Sequence, residues 1–177
     1  FDNDFIKYQE EEWKYNNIVL NKNKNYNISG YFQSYKYFWN NIKKIKKLLN
    51  LDYKLINKIK NYYASFDKDI IAIHIRQGDY LNKQDYHPVQ SLEYYKKALS
   101  YFDLEKHTIL LFSDDYKNSC KFLEPLNLNY VDARDFSNDD EIQFYMMMLC
   151  NKKICANSSF SLLSCYLNEM FLFCENA

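Results

Sequence analysis

Short apolar runs alternate with helical segments along the chain from residue 69 onward. Four of these runs predict strands: 70–75, 108–112, 128–131 and 153–156. The first is almost entirely apolar, as in a strand that is buried on both faces. Between and after them, apolar residues recur at helical spacing, which predicts four helices: 91–102, 116–123, 139–149 and 159–168. This alternation predicts an α/β fold, with a Rossmann-like parallel sheet and crossover helices.

The first third of the chain has a different pattern. Isoleucine and leucine recur at helical spacing among many lysines, which predicts amphipathic helices over 38–49 and 52–64. We interpret the lysines as the solvated face of these helices, and a basic binding patch is the alternative. The pattern changes between Ser65 and Lys68, which predicts two domains: a mostly helical part at 1–67 and a Rossmann-like domain at 68–177.

The first predicted strand continues into a polar loop, HIRQGDY, at residues 74–80. Ligands of parallel sheets bind beyond the carboxyl ends of the strands, so this loop is a candidate site. The guanidinium of Arg76 can bind two phosphate oxygens and stays charged at any working pH. His74 lies on the same side of an extended chain as Arg76, and Gly78 permits a tight turn or a close ligand. Asp79 could position a sugar hydroxyl or accept a proton.

The fourth predicted strand is followed by the start of a helix, where free amides and hydroxyl groups can bind an anion. The residues at this helix start are Asn157, Ser158, Ser159 and Phe160. Capping of the helix by Ser158 or Ser159 is the alternative interpretation. Because this helix start and Arg76 lie at the same predicted edge of the sheet, together they favour a phosphate site.

The second predicted strand is followed by Asp114 and Asp115. Adjacent carboxylates at this edge suit a ribose, a base or a metal ion, and Asp114 could also cap the next helix. A metal site would need a third well-placed carboxylate or histidine, and the sequence offers no obvious one.

Composition narrows the ways in which the chain could hold a phosphate. Its 2 glycines, Gly30 and Gly78, lie too far apart in the chain to form a P-loop, and a GxGxxG motif needs three, so phosphates must be bound by arginine and a helix start. The net charge is zero, with 23 basic and 23 acidic residues, which gives no general attraction to nucleic acid or membrane. The 5 cysteines fit no zinc motif, and we interpret them as reduced core thiols.

Three segments, in order, resemble the motifs of the alpha-1,2-fucosyltransferase family. Residues 30–38, GYFQSYKYF, resemble its GYxQS segment, residues 74–80 its HxRRGDY motif, and residues 156–161, ANSSFS, its ANSSFSWW motif. Cys150 precedes the last motif at the usual distance, and residues 113–115 also fit a family position. The chain is therefore similar to this family over most of its length.

The resemblance implies a glycosyltransferase B-type fold, with the donor-binding lobe at 68–177 and part of the acceptor-side lobe at 1–67. It implies transfer of L-fucose from GDP-L-fucose to a galactose 2-hydroxyl of a glycan, with inversion, without a metal and without a cofactor. The partners would be the nucleotide-sugar donor and the glycan acceptor, with no nucleic acid, and with membrane association only through segments absent here. The compartment stays open: the cytoplasm for a microbial or viral enzyme, the Golgi membrane for one of the secretory pathway.

The resemblance also implies residue roles. Arg76 would bind the donor pyrophosphate and stabilise the leaving group, and His74 would lie beside the nucleotide. Asp79 is the candidate general base, with Asp85 behind it, and the alternative is that Asp79 only holds the loop. The other donor-binding residues would be Gly78, Asp114, Asn157, Ser158, Ser159 and Phe160.

The chain departs from the family pattern at four side chains and at both ends. Gln77 replaces a second arginine, Gln143 replaces an aspartate, and Leu162 and Leu163 replace two tryptophans. The family's glycine-rich N-terminal segment and its C-terminal segment are absent, which indicates a fragment or a degenerate copy. Two other hypotheses therefore stay open: an inactive homologue that binds GDP or a GDP-sugar without turnover, and an interaction domain that binds no nucleotide.

Overall fold

The computed structural model of the protein describes residues 5–12, 14–48 and 52–168. The described residues up to 48 form one compact unit, and those from 52 onward form another. Each unit contains a parallel sheet of its own, with two strands in the first and four in the second.

The division between the units falls earlier in the chain than the change of pattern at residues 65–68. Helix α2, Tyr53–Tyr63, belongs to the second unit, and the hydroxyl of Tyr63 donates to the carbonyl oxygen of Met146 at 2.6 Å. The assignment of 1–67 and 68–177 to two lobes stays a prediction.

The second unit is built on a parallel sheet with the strand order β5-β4-β3-β6. The strands are β3, Asp69–Ile75; β4, His107–Ser113; β5, Tyr130–Asp132; and β6, Lys152–Ile154. The central strands β3 and β4 are buried on both faces, as their continuous apolar sequences require. Ile71 and Ile73 of β3 and Leu111 of β4 are each 0% exposed. The predicted α/β fold with a Rossmann-like parallel sheet is confirmed.

Four helices follow the strands: α3, Leu92–Leu99; α4, Tyr116–Leu123; α5, Asp140–Leu149; and α6, Ser159–Asn168. The side chains of Ser91, Asp115 and Asp139 each accept a hydrogen bond from a backbone amide in the first turn, which fixes the starts of α3, α4 and α5. The predicted helix over 91–102 ends early, because the amides of Tyr101 and Phe102 bond three residues back in tighter turns.

Strand β5 begins at Tyr130 and not at the predicted residue 128. A 3-10 turn over Glu124–Leu126 follows α4, and Asn127 then adopts the left-handed conformation with φ 48°. Residues 128 and 129 therefore belong to the connection between this turn and the sheet, and not to β5.

A cluster of buried apolar side chains packs beside β3 and β4, with contributions from α3 and α4. Its most buried tyrosine is Tyr95 of α3, which is 1% exposed. The hydroxyl of Tyr95 donates to the carbonyl oxygen of His74 at 2.9 Å. Helix α3 thereby holds the carboxyl end of β3, the strand that leads into the HIRQGDY loop.

The first unit contains two parallel strands that the hydrophobic pattern did not predict: β1, Phe5–Gln9, and β2, Asn25–Ser29. Most of their residues are exposed, so neither strand has a continuous apolar run. Gly30 follows β2, and an added Cβ there would overlap the side chain of Glu10. The Glu10 carboxylate accepts the amides of Tyr31 and Phe32 at 2.7 and 2.8 Å, which fixes the start of the GYFQS segment.

The predicted helix over 38–49 is shorter in the structure. Two 3-10 turns, Tyr35–Tyr37 and Trp39–Asn41, precede α1, which spans Ile42–Leu48. Phe38 lies between these turns with φ −132°, outside the helical region, and it separates them from each other. Residue 49 lies outside the described residues. No helix in the described part of the chain is long and apolar enough to cross a bilayer.

Candidate active site

The carboxyl ends of β3, β4 and β6 lie at one edge of the sheet. Ile75 pairs with Ser113, and Ile73 pairs with Ile154, so the residues that follow these strands emerge together. The rings of His74 and Phe160 lie 5.2 Å apart between their centroids, which connects β3 directly to the start of α6. The predicted site residues after the three strands are therefore brought to the same edge.

Arg76 lies at the centre of this edge, between two carboxylates. Its Nη2 donates to Oδ1 of Asp79 at 2.8 Å, and its Nε lies 3.2 Å from Oδ2 of Asp114. Nε is buried and makes no hydrogen bond with the described atoms, so its contact with Asp114 is an ion pair without hydrogen-bond geometry. The guanidinium also lies over the ring of Tyr80 at 5.0 Å. The Arg76 side chain stays 32% exposed, which leaves part of it accessible to a ligand.

Asp79 is the more exposed of the two carboxylates, with 47% of its side chain accessible. It accepts from Nζ of Lys83 at 3.2 Å as well as from Arg76. The hydrogen bond from Lys83 and the charge of Arg76 lower the pKa of Asp79 below its ordinary value. A carboxylate with a lowered pKa is a weaker proton acceptor, so Asp79 is a poor base while both cations hold it.

His74 is buried at the end of β3, with 4% exposure. Burial and the charge of Arg76 lower the pKa of His74 to about 3 from 6.5. Its Nδ1 has no hydrogen-bond partner among the described residues. The imidazole is therefore neutral at physiological pH, and it contributes packing against Phe160 and no positive charge to the site.

The pKa of His74 predicts a loss of stability in acid. Below its ordinary pKa the unfolded chain binds a proton that the native state excludes, so stability is full above 6.5 and falls as the pH falls towards 3. Between about pH 7 and about pH 5 we expect this group to reduce the free energy of unfolding by about 2 kcal/mol.

Urea unfolding of the full chain at both pH values checks this expectation. The variant His74→Asn should lose less stability over the same pH range than the wild type does. The variant His87→Asn is the control, because it removes an imidazole that lies outside the sheet and stacks on Tyr80 at 4.6 Å. An equal acid loss in the His74→Asn variant would contradict the assignment.

The start of α6 is a capped helix end. Oγ of Ser158 accepts from the amide of Phe160 at 3.3 Å, so the capping interpretation of Ser158 is confirmed. Oγ of Ser161 donates to the carbonyl oxygen of Ala156 at 3.0 Å and fixes the preceding turn. Ser159 is exposed and Asn157 is half-buried at this end. Whether these residues also contact a phosphate stays a prediction.

Gln143, at the position of the family's aspartate, lies inside the domain and not at the accessible edge. It is 6% exposed, its Oε1 accepts from the hydroxyl of Tyr116 at 3.0 Å, and its Nε2 donates to the carbonyl oxygen of Ser137 at 3.0 Å. An amide side chain can satisfy a donor and an acceptor at the same time, which an ionised carboxylate cannot do. Gln143 therefore connects α5 to α4 and to the loop before α5.

Removal of this amide should destabilise the domain. The exchange Gln143→Leu leaves the Ser137 carbonyl without its partner, and we expect a loss of about 1–3 kcal/mol in urea unfolding. Adding Tyr116→Phe to that variant should cost less than Tyr116→Phe costs alone, since its hydroxyl has then already lost one acceptor. A Gln143→Leu variant as stable as the wild type would refute the structural role.

A further pair of charges, which the sequence pattern did not indicate as a site, lies at the end of β5. Two nitrogens of Arg134 contact the carboxylate of Asp132, with Nε at 3.0 Å from Oδ2, and the guanidinium lies 3.7 Å from the centre of the Tyr116 ring. Ligands of parallel sheets bind beyond the strand ends, so this rule makes Asp132 and Arg134 candidates too. The apolar pattern of the third predicted strand is weak, and the two residues were therefore not among the predicted site residues. Among the described residues, no group of three His, Cys, Asp or Glu is placed to hold a metal ion.

The chain belongs to glycosyltransferase family 11. The family described as "Glycosyl transferase family 11" matches residues 2–170, and the resemblance found in the motifs is confirmed. The chain is 26% identical over 163 residues to the O-antigen biosynthesis glycosyltransferase WbnK of Escherichia coli, a match that covers 86% of this chain and 54% of that protein. The chain thus spans about half the length of this relative. No solved structure matches.

Proposed function

We propose that this domain binds GDP-L-fucose and that the protein transfers L-fucose to a galactose 2-hydroxyl of a glycan, with inversion and without a metal ion. Membership of family 11 supports glycosyl transfer from a nucleotide sugar to a glycan. The α/β fold supports binding of the nucleotide at the carboxyl edge of the sheet. Fucose as the sugar, the acceptor and the linkage come from the motif resemblance.

The observation that carries the proposal is the position of Arg76. A charged, partly accessible guanidinium lies at the end of the central strand β3. The neighbouring strand is β6, and the start of α6 follows it at the same edge of the sheet. A pyrophosphate placed between the guanidinium and the helix start would accept charge-assisted hydrogen bonds from Arg76 and hydrogen bonds from backbone amides of α6. This is the arrangement that a domain without a glycine-rich loop needs in order to hold a nucleotide sugar.

The same arrangement suits the chemistry of transfer. As the acceptor oxygen bonds to the anomeric carbon, the bond to GDP breaks and negative charge grows on the leaving phosphate, where Arg76 stabilises it. The proton of the acceptor hydroxyl goes to a base, and Asp79 is the candidate. Arrival of the donor phosphate at Arg76 would take one cation away from Asp79 and so make it a better proton acceptor.

An inactive homologue that binds GDP without turnover is the second candidate. It is favoured by the charge balance, because Asp79 and Asp114 both lie against Arg76, and Gln77 adds no second positive charge. Gln77 is 5% exposed, so its side chain offers little surface to a ligand.

An assay of GDP release from GDP-L-fucose, with GDP-mannose as the comparison, separates the candidates. Faster release from GDP-L-fucose than from GDP-mannose supports the transferase. Binding of GDP in calorimetry without release from either sugar nucleotide selects the inactive homologue. Absence of any heat with GDP at millimolar concentration would contradict both.

A further inference from the structure

The carboxylate of Asp114 lies against three consecutive residues of the HIRQGDY loop. Its Oδ1 accepts from the backbone amide of Gln77 at 3.0 Å, and its Oδ2 lies 3.2 Å from Nε of Arg76. The same Oδ2 fills the space in which a Cβ on residue 78 would stand, so an alanine at this position would force the carboxylate to move.

We propose that Asp114 is a positioning residue, which holds the loop and aims the guanidinium of Arg76, and does not itself bind the donor. The proposal rests on the proposed donor site. A carboxylate near a bound pyrophosphate is repelled by it, so a direct contact between the two would oppose binding. The contacts of Asp114 with the loop give a reason for its presence at an anion site.

The two carboxylates beside Arg76 differ in how they are held. The Asp114 side chain is 19% exposed and is tied to the backbone of the loop, whereas Asp79 is 47% exposed and shares its charge with Lys83. A donor phosphate can displace the exposed carboxylate from Nη2 and leave the ion pair at Nε in place. Asp114 therefore fixes one side of the guanidinium while the other side is exchanged between Asp79 and phosphate.

Capping of α4 does not explain Asp114. That role belongs to Asp115, whose Oδ1 accepts from the amide of Asn118 at 3.2 Å. Within the described part of the chain, the hydrogen bond and the ion pair of the Asp114 carboxylate are both with the loop after β3, at Gln77 and Arg76. The neighbouring aspartates at the end of β4 thus serve different elements.

The proposal is tested by whether GDP binds more weakly or more tightly when the charge of Asp114 is removed. In the full chain, Asp114→Asn keeps an oxygen for the Gln77 amide but loses the ion pair, and we expect GDP to bind about 10-fold more weakly in calorimetry. The matched control is Asp115→Asn, which removes the same charge from the next residue and retains a good capping side chain, so its GDP affinity should not fall. Unchanged or tighter GDP binding by Asp114→Asn would overturn the proposal, since a mere nearby anion would act in that direction.

A second measurement does not depend on any nucleotide. Amide hydrogen exchange at Gln77 should be faster in Asp114→Ala than in the wild type and Asp114→Asn, because alanine removes the acceptor. Likewise, Gly78→Ala should lower the unfolding temperature in the wild type and have a smaller effect in Asp114→Ala. Unchanged exchange at Gln77 would refute the positioning contact, whereas failure of the wild type to bind GDP would refute the donor site and leave this test standing.

Discussion

GDP is expected to bind the Arg76→Lys variant more weakly than the wild type by about 1–3 kcal/mol, or roughly 5-fold to 150-fold in the dissociation constant. A lysine keeps the positive charge but cannot offer two parallel N–H donors to a phosphate. It also cannot contact Asp79 and Asp114 from separate nitrogens, as Arg76 does. Truncation to Arg76→Ala should weaken binding further, because both carboxylates then face the phosphate without a cation between them.

The chain offers a matched control in its other arginine. Arg134 also lies against an aspartate and a tyrosine ring, at the end of the edge strand β5 and not of the central strand β3. The exchange Arg134→Lys should therefore reduce GDP affinity less than Arg76→Lys does in titration calorimetry. If Arg76→Lys binds GDP as tightly as the wild type, Arg76 does not contact the phosphate.

Replacement of Asp79 is expected to have opposite effects on binding and on turnover. The variant Asp79→Asn removes a carboxylate that competes with phosphate for Nη2 of Arg76, so GDP should bind several-fold more tightly. If Asp79 is the general base, transfer from GDP-L-fucose should slow by about 100-fold or more. The two effects together separate this aspartate from Asp114, whose removal should weaken GDP binding.

Steady-state transfer kinetics and calorimetry on the same variant check both effects. The control is Glu93→Gln, which removes an exposed carboxylate from the first turn of α3 and should change neither quantity. Normal turnover by Asp79→Asn would exclude Asp79 as the base and leave it only the role of holding the loop.

The fold of the second unit could be predicted because its local signals agree with its packing. Strands β3 and β4 are buried on both faces and therefore read as continuous apolar runs, and Ser91 and Asp139 mark helix starts by their chemistry. Strands β1 and β2 carry no such signal, because exposed strands need no apolar alternation and their pairing is decided by backbone hydrogen bonds.

The candidate site was predictable in its position and only partly in its contacts. The strand-end rule located Arg76, Asp79 and Asp114, yet nothing in the sequence says that two of these carboxylates neutralise the arginine. The internal role of Gln143 was equally hidden, because its partners lie 6 and 27 residues away along the chain. Such partners are set by tertiary packing, and a single sequence does not record it.

The chain keeps 2 glycines in 177 residues, and both stand against a carboxylate. Glu10 occupies the side-chain space of Gly30 and accepts the next two amides, and Asp114 occupies that of Gly78 and accepts the amide of the residue before it. In a library randomised at the second pair and selected for folding, a side chain at 78 together with a carboxylate at 114 should be rare. Positions 78 and 114 are therefore expected to change together among the descendants of this protein.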